Sequence, residues 1–226
     1  MQCVLPLTPW IPQADVGLVH RWLYEVAGIL HCDLSPNNIM YRRINGKVYG
    51  VLNDIDLSLW TTSLTPDSTR SSQQRTGTPP YMAAELLSET NDVRLYRHDV
   101  ESFFYTMLIL ATHYEICIPE EGRQGGVQMR RGLQSLPFEE WFDQPLYTTL
   151  GSLKRSFLLS FSPLTLSPTF EGFRYWLEDL HLSLKQGIPR VHMRSRWLCK
   201  SVGVDYQGPS HHLMRRRWED MYAIPR

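Results

Sequence analysis

The chain has 226 residues, enough for one domain with a sizeable core, or for one domain and a tail. Its 23 basic and 23 acidic side chains cancel, which removes the electrostatic case for nucleic acid or an anionic membrane surface as a partner. With 42% hydrophobic and 20% charged residues, the composition is that of an ordinary globular protein rather than a disordered or membrane-embedded one.

The first residues, Met1 to Pro6, hold neither a basic region nor a long apolar run, so no signal peptide is expected. Residues 1–14 carry Pro6, Pro9 and Pro12 and are expected to be an irregular lead-in. From Asp15, a plausible N-cap, Val16, Val19, Leu23, Val26 and Leu30 recur at helical spacing. They predict a helix that ends by delivering His31 and Asp33. Ile39 to Tyr41 and Val48 to Leu52 flank Asn45-Gly46, the pattern of a tight β-hairpin. Such a hairpin places Asn38 and Asp54 at one end, close enough to share a metal ion.

Residues 58–76 are rich in Ser, Thr, Gln and Pro and predict an exposed loop. Tyr96 opens an apolar helix expected to run to about His113; its apolar core, Phe103 to Ala111, is about half the length that spans a bilayer. The Gly- and Arg-rich stretch from Glu120 to Gly132 predicts another exposed loop. Trp141-Phe142, Leu146 to Phe161 and Phe170 to Lys185 predict peripheral helices, with Pro163 and Pro168 between the last two. Residues 186–226 form a basic tail, densest at Arg215 to Arg217. Cys3, Cys32, Cys117 and Cys199 make no C-x-x-C pair and are expected to be free thiols in an intracellular protein of the cytoplasm or nucleus.

The chemistry lies in His31-Cys32-Asp33-Leu34-Ser35-Pro36-Asn37-Asn38, followed sixteen residues after Asn38 by Asp54-Ile55-Asp56. A carboxylate, an amide five positions on and a second carboxylate beyond a hairpin suit phosphoryl transfer from a nucleoside triphosphate. An acceptor orients the attacking hydroxyl, and magnesium ions take hard oxygen ligands. The set matches H-R-D-x-x-x-x-N followed by D-F-G, with Cys32 for Arg and Asp56 for Gly. Thr76-Gly77-Thr78-Pro79-Pro80-Tyr81-Met82-Ala83-Ala84-Glu85 and His98-Asp99-Val100-Glu101-Ser102-Phe103 complete the order. Together these motifs resemble the C-terminal lobe of the fungal-type protein kinase family, most specifically over residues 15–115 and loosely to 185.

The resemblance implies a mainly α fold with a short β-hairpin, in which residues 15–185 form a protein kinase-like C-lobe. Its catalytic loop would be 31–38 and its activation segment 54–85. Asp33 would be the catalytic acceptor, with Asn38 beside it. Asn38 and Asp54 would bind ATP and Mg2+. His31, Glu85 and Asp99 would be structural supports: a packed ring behind the loop, the partner of a buried arginine, and a tie to the catalytic-loop backbone. Cys32, standing where many kinases have an arginine, leaves phosphate on Thr65, Ser68 or Thr69 without that partner, so no dependence on such a switch is expected. Ser35 stands where protein-serine kinases place a lysine.

No G-x-G-x-x-G occurs, and no lysine precedes Lys47. The N-terminal lobe is therefore expected to be absent and activity to need another polypeptide. The expected partners are a protein substrate, or a chain that covers the exposed lobe face. The alternatives are a pseudokinase that binds a partner, a truncated gene product, and a small-molecule phosphotransferase of the aminoglycoside or choline type. The Gly77 to Glu85 segment argues against the last.

Overall fold

Helix α2, Tyr96–His113, is the element around which the others pack, and its sequence says why. His98 to Val100 and Ser102 to His113 are all buried, so the helix is enclosed on every side rather than along one stripe. The computed structural model describes residues 16–17, 19–45, 47–61, 76–88, 94–117, 126–129, 136–160 and 163–185. Among them the fold is mostly helical, with three two-stranded antiparallel sheets.

Before α2, residues 16–17 and 19–22 are helical (α1) and pass into a π-helical turn, Leu23–Ala27. The predicted helix therefore stops short of Leu30. The Gly28 N–H closes on the Leu23 carbonyl, and Gly28 sits at φ 68°, a left-handed conformation that breaks the helical ladder. Ile29–Leu30 (β1) pairs instead with Leu59–Trp60 (β4), in the register Ile29↔Trp60 and Leu30↔Leu59. The wider π turn also rotates Val26, expected on the buried face, out to 67% exposure.

The hairpin forms as the sequence indicates. Ile39–Ile44 (β2) and Lys47–Leu52 (β3) pair from Ile39↔Leu52 to Ile44↔Lys47, and Asn45 turns the chain at φ 50°. Residues expected as loop supply two further strands. Leu59–Trp60 is β4, and Gly126–Met129 (β6) pairs with Tyr114–Cys117 (β5), which follows α2 directly. Both are only two to four residues long, so loop-like composition hid them.

Tyr147–Leu159 (α3) and Arg174–Lys185 (α4) lie where peripheral helices were expected, with 3-10 turns at Glu139–Trp141 and Pro168–Phe173. Aromatic rings join them to α2: Tyr105 meets Trp141 edge-on at 5.2 Å, Phe104 stacks on Phe157 at 6.3 Å, and Phe103 meets Trp176 edge-on at 6.2 Å. Each such pair adds about 0.5–1.5 kcal/mol beyond its buried area. No described helix is long and apolar enough to cross a membrane. The lead-in (1–14), most of the 58–76 loop and the basic tail (186–226) lie outside the described residues.

Gly28 offers a direct test of the helix stop. A Cβ there would lie 3.3 Å from Thr61 Oγ1 on a left-handed backbone. Gly28→Ala is expected to lower stability by about 1 kcal/mol, seen as a lower urea midpoint at an unchanged m-value.

Candidate functional site

The loop from His31 to Asn38 is held from behind by a buried carboxylate. Asp99, in the first turn of α2 and 0% exposed, accepts through Oδ2 from the backbone N–H of His31 (2.8 Å) and of Cys32 (3.2 Å). The same oxygen lies 3.2 Å from His20 Nε2 of α1, and Oδ1 lies 3.5 Å from an Arg94 Nη2 that is equally buried. Burial alone would push this carboxyl up. The hydrogen bond and charge of His20, the charge of Arg94 and the Cys32 N–H outweigh it and hold the carboxyl at about 2. Asp99 thus holds the backbone of His31 and Cys32, and it does not cap the helix. That start is closed by Leu95, whose N–H donates to His98 Nδ1 (3.1 Å) while its carbonyl accepts from the His98 N–H (2.9 Å).

His31 is fully buried. Its Nδ1 accepts from the Asp33 N–H (3.3 Å), which leaves Nε2 to donate to the Asn53 carbonyl (3.0 Å). Burial, the largest influence, lowers its pKa and keeps the ring neutral. It therefore acts as a brace between the loop and the end of β3. Cys32 is at φ 72°, uncommon for a residue with a side chain, and its buried thiol points to the Leu30 carbonyl at 3.4 Å. Burial pushes that thiol up to about 12, so it stays neutral. Leu34 is tied through its carbonyl to the Thr106 hydroxyl at 2.7 Å.

Asp33 and Asn38 come together. Asn38 Nδ2 donates to the Asp33 backbone carbonyl (2.9 Å) and to its Oδ2 (3.0 Å). A one-turn 3-10 helix, Pro36–Asn38, makes the five-residue spacing possible by curling Asn38 back. The other carboxylate oxygen, Oδ1, accepts from the backbone N–H and the hydroxyl of Thr78, both at 3.0 Å. Asp54 lies at the same end of the hairpin, one residue past Asn53, whose N–H donates to the Asn38 carbonyl at 2.8 Å. It is exposed, at φ 60°, and its carboxylate has no hydrogen-bond partner among the described residues. The structure thus joins Asp33 to Asn38 directly and brings Asp54 alongside through the backbone. No cluster of three His, Cys, Asp or Glu side chains that could hold a metal ion occurs among the described residues.

Glu85 is corrected in one respect. Its partners are Arg97, which is 45% exposed, and His98 Nε2 at 2.8 Å, rather than a buried arginine. One turn of α2 carries both. Burial would raise the Glu85 carboxyl, but His98 and Arg97 together lower it. The buried arginine, Arg94, donates to the carbonyls of Thr76 (2.8 Å) and Cys32.

The sequence reading missed four residues that shape the 76–84 segment. Thr78 lay within a matched motif but was given no role. Arg94 lies just before an apolar helix and was not singled out. Glu101 receives the Ala84 N–H (2.8 Å) and the Tyr105 hydroxyl (2.7 Å). Lys154, 0% exposed, donates to the carbonyls of Met82 (2.6 Å) and Pro79 (3.2 Å) and sits 4.2 Å over the Tyr105 ring. Burial drives its pKa well below the usual lysine range, against the pull of Glu101. A lysine at the middle of α3 carries no local sign of burial in the sequence.

Comparison with known families gives a match of the fungal protein kinase model to residues 14–111. That span contains all the residues from His31 to Asp99 named above. No curated protein matches the chain.

The Asp99 carboxyl predicts an acid response. Its folded pKa of about 2 lies below the ordinary 3.8, so the unfolded chain takes up its proton first as pH falls. The stabilisation is full above the unfolded value and is lost as pH drops through the folded one, an effect of roughly 2 kcal/mol. Urea unfolding followed from pH 5 to pH 2 should lose stability more steeply in the parent chain than in Asp99→Asn.

Proposed function

We propose, from the match of the fungal protein kinase model to residues 14–111, that the 31–38 loop is the catalytic loop of a protein kinase-like C-lobe. The reaction is phosphoryl transfer from ATP to a serine or threonine hydroxyl of a protein. One observation carries the proposal: the Asp33 carboxylate is fixed by Thr78 and Asn38 while the His31 ring ties the loop to the residue before Asp54.

In this role Asp33 orients the substrate hydroxyl and accepts its proton as the oxygen bonds to the γ-phosphorus and the bond to the ADP oxygen breaks. Each Asp33 oxygen already accepts bonds from the protein, which sets the direction of its remaining lone pairs. The donor set suits magnesium. Asn38 uses its amide nitrogen on Asp33 and keeps its carbonyl oxygen for a cation, and Asp54 offers an exposed carboxylate. Two protein oxygens are enough, because magnesium fills its remaining positions with phosphate oxygens and water. When bound there, it would neutralise charge on the phosphates. The covering wall over the phosphates would come from polypeptide outside these 226 residues, since the sequence holds no G-x-G-x-x-G.

The close tie between Thr78 and Asp33 supports a protein kinase-like site over a small-molecule phosphotransferase. A second reading is favoured by the surface beside the loop. Val26, Ile55 and Trp60 are 67%, 55% and 59% exposed, all next to the β1–β4 pair. A pseudokinase would use this apolar surface to hold a protein partner.

A thermal-shift titration with millimolar ATP and magnesium separates the two. The parent chain should melt a few degrees higher, about the rise expected when ligand exceeds its Kd tenfold, and Asp54→Asn should lose the shift. A cooperative melt with no shift in the parent would sink nucleotide binding by this chain alone and leave the partner-binding reading.

A further inference from the structure

We propose that Arg94 is a positioning residue, a built-in latch that holds the Thr76–Thr78 segment against the catalytic loop by binding backbone carbonyls, with no phosphate required. Its purpose rests on the phosphoryl-transfer reading, but its geometry and its test do not.

Three backbone or carboxylate acceptors converge at one buried point. The Cys32 and Thr76 carbonyls each accept from Arg94, and the Asp99 carboxylate lies 3.5 Å from its Nη2. The residue is 2% exposed. Acceptors crowded together away from water repel one another unless a donor-rich cation stands between them. Of the side chains, only a guanidinium offers two terminal nitrogens in a rigid fork, one for each carbonyl, with charge left to face the carboxylate.

The backbones it joins are in direct contact. Gly77 is at φ 127°, and a Cβ there would come within 3.1 Å of the Cys32 carbonyl and 3.2 Å of Met82 Cγ. A side chain there would be crowded as well as strained at this φ. One residue further on, Thr78 gives both its N–H and its hydroxyl to Asp33 Oδ1. Arg94 therefore reaches Asp33 through three residues, Thr76, Gly77 and Thr78, without touching it.

The cation at this junction comes from outside the loop. Cys32 contributes its carbonyl, while its neutral thiol turns away to the Leu30 carbonyl. A charge already committed to two carbonyls and a carboxylate closes the junction in the unmodified chain.

The test is hydrogen exchange of the full chain without nucleotide, comparing the parent with Arg94→Lys. Lysine keeps the charge near Asp99 but has one nitrogen and cannot span both carbonyls. In the parent, the Thr78 amide should be protected. In the variant, it should exchange on the order of tenfold faster or more, the size set by a lost charge-assisted hydrogen bond, while the Leu108 and Ile109 amides of α2 keep their protection. A Thr78 amide that is unprotected in the parent or unchanged in the variant overturns the latch. So does uniform loss of protection across α2, or a variant that no longer melts cooperatively, since either makes Arg94 a residue of the core fold. Failure of ATP to bind would sink the phosphoryl-transfer reading and leave this exchange pattern as it is.

Discussion

The buried Asp99 carboxylate is the constraint on which the site depends. Two consecutive N–H groups of the 31–38 loop, His31 and Cys32, converge on one of its oxygens. Cys32, which donates the second of them, takes a left-handed conformation. The strain of a non-glycine residue at φ 72° is offset by charge-assisted bonds on both sides of it, to its N–H and to its carbonyl. An ionised carboxylate in the core is costly unless paired. Here His20 and Arg94 supply the pairing, and they come from α1 and from the chain just before α2. The loop is thus an outgrowth of the core helix.

From that anchor, order spreads in two directions. Along the loop, Thr106 holds Leu34, and the 3-10 turn brings Asn38 back onto Asp33. Across the loop, the 76–84 segment is pinned at successive points: Arg94 at Thr76, Asp33 at Thr78, Lys154 at Pro79 and Met82, and Glu101 at Ala84. The segment lacks regular secondary structure beyond one 3-10 turn, Pro79–Tyr81, so its backbone groups need side-chain partners. Buried Arg94 and Lys154 and half-buried Glu101 supply them. This gives a role to Lys154, set over the Tyr105 and Trp141 rings, and to Glu101 beside Tyr105.

How far the sequence made this legible follows from the range of each interaction. The Asn45-Gly46 hairpin and the α2 boundaries were readable because local chemistry decides them: a turn that tolerates positive φ, and an apolar run bounded by polar residues. Asp33 and Asn38 were readable as site residues from their motif, but the bond between their side chains was not, since it depends on the proline-started 3-10 turn. Val26 and Leu30 misled because spacing alone cannot register a π turn or show that Gly28 adopts φ 68°. Strands β4 and β6 could not be read from composition, since each depends on a partner fixed elsewhere in the chain. Arg94 and Lys154 were hidden for a related reason. A cation in sequence looks like surface, and only the fold reveals the carbonyls that surround it.

The two carboxylates of the site differ in how they are prepared. Asp33 accepts from three side-chain or backbone donors beyond its own backbone links, so its orientation is set before any ligand arrives. Asp54, one residue past the brace at Asn53, is exposed and without a hydrogen-bond partner among the described residues. A group that must accept a proton from a hydroxyl gains from being fixed, because misplacement weakens the transfer. A group that must bind a hydrated cation gains from being open, because magnesium arrives with water and phosphate oxygens already attached. In the proposed role, a fixed acceptor beside an open carboxylate is the division of labour that phosphoryl transfer asks.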